Sequence, residues 1–258
     1  MKRYRISPSL MNKFSDWLNY EELYEQFWGR SEQPPMTMDE FGAKQLAELL
    51  AYINGDPIPT TEAAERGTAL NDIIDALQHG RSVDTSYIEQ NGCYVASRRG
   101  YTFVFGKDFV DSLCLLFSTA VPQVHVEYET SLEDPVGGNV DIVLHGYPDY
   151  IFPTMIWDLK TTTKYDFGKY ENNWQRFVYP YIAVKTGIMT ECERFTFYAL
   201  TMTSDNGVLT GKPNAETYDC NLAHDEYIIV GLLNIMLQRL ADWERDGLVR
   251  EGHVIQHI

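Results

Sequence analysis

Asp158 and Lys160 stand two residues apart at the end of an apolar run, in the stretch WDLKTTTK from Trp157 to Lys164. In a β-strand side chains alternate between faces, so Asp158 and Lys160 project together while Trp157 and Leu159 face the other way. A second strand pattern, GGNVDIVL, carries Asp141 between Val140 and Ile142. An ionised carboxylate among apolar neighbours is costly unless it is paired or bound to a cation. If the two strands are neighbours, Asp141 and Asp158 converge on an oxygen-rich site suited to Mg²⁺. Lys160 then lies where its ammonium stabilises developing negative charge, an arrangement suited to phosphodiester hydrolysis. The competing reading of DLK is a solvated strand end with a surface ion pair.

The elements that must position these groups follow from periodicity. Ser9 to about Trp28 has helical spacing, with Leu10, Phe14, Trp17 and Leu18 on one side. Helical patterns follow at Met38–Ile53, stopped by Asn54-Gly55, and at Glu62–Leu77, stopped by Gly80. CYVAS and YTFVF flank RRG as a hairpin, and Lys107–Thr119 reads as helix. Three strand patterns come next, QVHVEYETSL, NVDIVLHG and TMIWDLKT, separated by turn-rich pieces with Gly137-Gly138 and Pro148. A helix over Tyr170–Lys185, a strand RFTFYALTM and a helix over Asp225–Asp246 complete the chain. The expected architecture is a single α/β domain over residues 1–258, with a mainly helical part at 1–80 and a sheet-containing core at 81–258.

Composition narrows the function classes. Of 258 residues, 44% are hydrophobic and 22% charged, ordinary values for a folded chain. Basic residues near the N-terminus have no apolar segment behind them, unlike a secretory signal. The apolar run Tyr227–Leu237 is too short to span a bilayer. A cytoplasmic protein without membrane contact is expected. The cysteines, Cys93, Cys114, Cys192 and Cys220, form no CxxC pair, which argues against a zinc ribbon or iron–sulfur cluster and for free thiols. No Walker A or GxGxxG loop occurs. The net charge of −16 opposes tight non-specific binding of nucleic acid. Between Asp158 and Lys185, however, five basic residues face three acids, a locally basic seam.

In order, GGNVDIVL, IWDLKT and the segment NWQRFVYPY resemble the PD-(D/E)XK nuclease superfamily, in particular its RecB-like exonuclease branch. That branch has a G-x-x-D strand, a D-x-K-T strand and a Q-x-x-x-Y helix, matched here by Gly138 to Asp141, Asp158 to Thr161, and Gln175 to Tyr179. The opening ISPSLMNKF is similar to the branch's N-terminal motif, and RGTALNDII falls where the branch has G-x-x-x-H. The resemblance implies a mixed central sheet flanked by helices, a restriction-endonuclease-like core, and Mg²⁺-dependent hydrolysis of DNA, Mn²⁺ being an alternative. It implies Asp141, Asp158 and the Leu159 carbonyl as metal contacts, and Lys160 as the catalytic lysine. Gln175 and Tyr179 would support the site or hold a phosphate. Glu129 and Asp75 are candidate accessory acids.

The departure is Asn71, an amide where the branch has a metal-binding histidine; it can contact a hard cation but adds no charge. Imidazole favours transition metals, so its absence predicts a preference for Mg²⁺. Arg98 and Arg99 at the hairpin tip, with Lys164 and Lys169 after the Asp158 strand, are the candidate DNA contacts. The cysteine cluster of some relatives is absent, which implies a cluster-free member acting in repair, recombination or phage-type processing. A homo-oligomer or a recombination partner protein is compatible with that reading. The alternative, motivated by Asn71 and the net charge, is a catalytically degenerate nuclease fold that binds DNA or a protein partner.

Overall fold

The computed structural model describes residues 2–80 and 83–250. The first part of the chain is β1 (Arg3–Ile6), α1 (Pro8–Leu18), α2 (Tyr20–Trp28), α3 (Met38–Ile53) and α4 (Glu62–His79). The middle holds β2 (Ser86–Gln90), β3 (Cys93–Arg98), β4 (Tyr101–Gly106), α5 (Lys107–Phe117), β5 (Val121–Pro122), β6 (Val126–Glu133) and β7 (Asn139–Gly146). There follow β8 (Tyr150–Ile151), β9 (Met155–Thr162), α6 (Gln175–Lys185), β10 (Arg194–Asp205), β11 (Val208–Asp219) and α7 (Leu222–Arg245).

The chain is an α/β protein with two sheets. One has the order β2-β3-β4-β11-β10-β9-β8-β5, the other β1-β7-β6. Pairing in the large sheet is mixed: β9 runs parallel to β10, β10 antiparallel to β11, and β8 antiparallel to β9. The segment from β9 through α6 to β10 is therefore a β-α-β crossover, the usual way to join parallel neighbours.

Two apolar clusters lie on the two faces of the large sheet. Ile156, Phe195 and Phe197 join the small sheet, α1, α3, α6 and α7 in one cluster. Leu159 and Leu200 join Leu70, Ile73 and Ile74 of α4 and Val110, Leu113 and Phe117 of α5 in the other. Strand alternation decides this division, because Ile156, Asp158 and Lys160 share one face of β9 and Trp157 and Leu159 the opposite one.

Several helices start at side-chain caps written in the local sequence. Ser7 caps α1 with Pro8 behind it, Thr37 and Glu40 form a reciprocal capping box at α3, and Thr61 caps α4. The expected helix over Ser9–Trp28 is divided at Asn19 into α1 and α2. The expected helix from Tyr170 begins only at Gln175, because residues 163–174 form an irregular loop. Five strands were not expected: β1, β2, the two-residue β5 and β8, and β11.

Candidate active site

The condition for Asp141 to join Asp158, that their strands be neighbours, is not met. Asp141 lies on β7, whose partners are β1 and β6, opposite Arg3 and Ser131 in the small sheet. The neighbours of β9 are β10 and β8. Tyr150 pairs with Trp157, so continuing the register by one residue sets Asp149 against Asp158. The Asp149 Oδ2 accepts the Leu159 backbone N–H at 2.8 Å, which ties this carboxylate to β9. The carboxylate beside Asp158 is thus Asp149.

Asp149 ends a second Gly-x-x-Asp, Gly146-Tyr147-Pro148-Asp149, eight positions after the first. Pro148 reads as a turn and β8 is only two residues long, so no strand pattern points to it. The repeated motif nine residues before Asp158 was the available signal. Gly146 has its own reason to be glycine: a Cβ there would meet the Tyr179 ring at 2.6 Å.

Asp158 is 1% exposed, at the centre of a polar triangle. Lys160 Nζ lies 2.6 Å from Asp158 Oδ2 and donates to Gln175 Oε1 at 2.7 Å, while Gln175 Nε2 donates to Asp158 Oδ1 at 2.8 Å. The expected association of Asp158, Lys160 and Gln175 is therefore direct contact. Tyr179, one turn after Gln175 on α6, is buried, and burial followed by the Asp158 charge raises its hydroxyl pKa. The start of α6 is held from α1. Asn12 Oδ1 accepts the Trp174 N–H at 2.9 Å, and Asn12 Nδ2 donates to Asn173 Oδ1 at 3.2 Å. The N-terminal motif thus reaches the site through Asn12, which orients the turn bearing Gln175.

Electrostatically the site is short of positive charge. Burial, then the Asp158 charge, lifts Asp149 from the usual carboxylate range to about 8, against opposition from Lys160 and the Leu159 N–H. Burial also raises Asp158, with Lys160 and Gln175 opposing. Asp75, buried on α4, is near enough for its charge to raise Asp149 further. Gln123 supports Asp149 from the other side, donating its backbone N–H to the Asp149 carbonyl at 2.9 Å.

Two adjoining carboxylates with a single ammonium suit a hard cation, and Mg²⁺ commonly takes only one or two protein carboxylates with water completing its shell. No group of three or more His, Cys, Asp or Glu side chains is gathered for a metal among the described residues. The donor set therefore fits a sparsely ligated Mg²⁺ and does not fit a closed protein cage.

Asn71 lies on α4 one turn after Gly67 and one turn before Asp75, and its Oδ1 is buried without a hydrogen-bond partner among the described residues. Gly67 lets α4 approach β9, since a Cβ would meet Thr161 Oγ1 at 2.8 Å. Glu129 is elsewhere, on β6 and ion-paired with Arg3 at 3.2 Å.

Among the expected DNA contacts, Arg98 is not available. Its guanidinium bonds Glu65 and Asp72 of α4, each at 2.9 Å, and its side chain is 11% exposed. Arg99 is exposed and lies 3.5 Å from Glu65 Oε1. Lys164 is exposed beside Asp166, whereas Lys169 Nζ bonds Thr162 Oγ1 at 2.7 Å. Both lysines belong to the 163–174 loop, whose Phe167 is 89% exposed. A cleft of about 230 Å³ opens between the N-terminus of α1 and Gly146, Tyr147 and Tyr179, with Arg5, Ser9 and His145 on its walls. No helix among the described residues is long and apolar enough to cross a membrane. No protein-family model matches the chain, and no curated protein matches it.

Proposed function

We propose that this chain is a divalent-metal-dependent deoxyribonuclease of the PD-(D/E)XK kind, similar to the RecB-like exonucleases, acting in DNA repair, recombination or phage-type processing. The observation that carries the reading is the juxtaposition of Asp149 and Asp158 across β8 and β9, with Lys160 at 2.6 Å from the second carboxylate. Asp149 takes the role that the resemblance gives to Asp141. A bound Mg²⁺ would supply Lewis-acid chemistry to the phosphodiester. Asp149 and Asp158 would hold the cation, and Gln175 and the Leu159 N–H keep the two carboxylates aimed. Lys160 neutralises negative charge at the phosphate. Tyr179 and the walls of the adjoining cleft bound the space that the strand enters. Lys164 and Phe167, exposed on the loop after β9, supply a phosphate contact and a stacking surface.

The test is cleavage of linear DNA with Mg²⁺ by the wild type and by Asp149→Ala, Asp158→Ala, Lys160→Ala and Asp141→Ala. The first three substitutions are expected to remove about two orders of magnitude or more of the rate. Asp141→Ala is expected to retain it. Equal activity in all five proteins would identify a contaminant and defeat the reading.

A second reading, a nuclease-like scaffold without hydrolysis, draws on Asn71 and on the absence of a three-acid group among the described residues. Calorimetry separates the two: it requires DNA or a protein partner to bind while neither Mg²⁺ nor Mn²⁺ does.

A further inference from the structure

Cys192 and Cys220 are the one close sulfur pair among the described residues, with Sγ atoms 3.8 Å apart. Neither cysteine lies within a regular strand. Cys192 sits two residues before β10 begins and Cys220 one residue after β11 ends. The Cys220 N–H donates to the Glu193 carbonyl at 2.9 Å, continuing the β10–β11 ladder where Arg194 faces Asp219. The backbones are therefore fixed side by side, while both cysteines lie beyond the last paired residues, where side-chain rotation and a small backbone adjustment can bring the sulfurs to bonding distance.

We propose that Cys192 and Cys220 are a site of reversible oxidation that takes a low-molecular-weight disulfide as oxidant and forms an intramolecular disulfide. The two thiols differ in access: Cys192 is 6% exposed and Cys220 is half-buried. Cys220 meets the oxidant first. Its thiolate attacks one sulfur of glutathione disulfide, forming a mixed disulfide and releasing one glutathione thiolate. Cys192, deprotonated, then attacks the Cys220 sulfur, breaks the mixed bond and releases the second glutathione. The protein loses two protons and two electrons, and the electrons reduce one glutathione disulfide to two thiols. In the reduced protein the hydrogen bond between the two thiols lowers Cys192 and raises Cys220, so the first attack, by Cys220, is the slower step and quickens with rising pH.

The bond would close a loop containing β10 and β11 and fix the residue before Asn221, whose side chain caps α7. This thiol chemistry is independent of the nuclease reading.

The test treats the folded, reduced chain with glutathione disulfide at about pH 8, followed by intact mass and peptide mapping. The expected product is a monomer lighter by two hydrogens, with a Cys192–Cys220 cross-linked peptide and a Tm several degrees above the reduced form. Cys93→Ser/Cys114→Ser is expected to form the same bond. Cys192→Ser is expected to stop at a glutathione adduct on Cys220, and Cys220→Ser to resist reaction at Cys192. Failure of the folded wild type to cross-link, a bond to Cys93 or Cys114, a disulfide-linked dimer, or a lowered Tm with the bond formed would each overturn the proposal.

Discussion

Replacing Asp149 by Asn tests whether the site holds an uncompensated carboxylate. Asp149 is raised from 3.8 to about 8, first by burial and then by the Asp158 charge. In the unfolded chain the group ionises near its ordinary value, whereas in the folded chain it resists ionisation until about pH 8. A raised carboxylate therefore leaves stability intact below about pH 4 and removes it progressively as pH rises to about 8. Within that window each pH step of one costs the folded state about 1.4 kcal/mol, so between about pH 5.5 and pH 8 the wild type loses on the order of 3 kcal/mol relative to Asp149→Asn. The substitution keeps the shape of the side chain and an oxygen for the Leu159 N–H, so the difference isolates the charge. The assay is urea denaturation at a series of pH values in chelator, comparing the two proteins. Added Mg²⁺ is expected to restore stability at about pH 8 to the wild type and not to the variant. Parallel stability curves for the two proteins would refute the electrostatic account, because no charge at Asp149 would then oppose folding.

Gly146→Ala should destabilise the fold by about 1–3 kcal/mol, because its added Cβ would lie only 2.6 Å from the Tyr179 ring; an unchanged melting temperature would refute that clash. Arg98→Ala removes the guanidinium that Glu65 and Asp72 share and leaves Glu65 with Arg99 alone, so a lowered denaturation midpoint in denaturant titrations and an unchanged affinity for DNA are expected. A fall in affinity by a folded variant would return Arg98 to the DNA interface. With Asn71 in place of an imidazole, Mg²⁺ should support cleavage at least as well as Mn²⁺, and Asn71→His should shift the preference toward Mn²⁺. Activity of the wild type with Mn²⁺ alone would contradict that assignment of the donor set.

Local chemistry alone specifies much of this chain. Helix α3 has the predicted bounds Met38–Ile53 because its capping box and the Asn54-Gly55 stop lie within a few residues of it in sequence. The hairpin of β3 and β4, strand β7 and the alternating β9 are similarly readable, and β9 already places Asp158 and Lys160 on one face. The spacing of Gln175 and Tyr179 puts both on one side of α6. Strand β11 escapes such a reading because Gly211, Pro213 and several exposed polar residues interrupt any apolar alternation; its twelve-residue pairing with β10 makes it a strand. Which aspartate joins Asp158 is likewise a question of partner strands. Asp141 and Asp149 both end a Gly-x-x-Asp, and the sequence offers the longer strand to Asp141. Pairing between distant segments assigns β7 to β1 and β6 and leaves the edge beside β9 to the short β8. Arg98 changes meaning for the same reason, since its partners Glu65 and Asp72 come from a helix more than twenty residues earlier in the chain. Residue type and periodicity determine which side chains can act and which way each faces along its own element. Only tertiary packing decides which of them meet, because contact depends on burial and strand register between segments far apart in sequence.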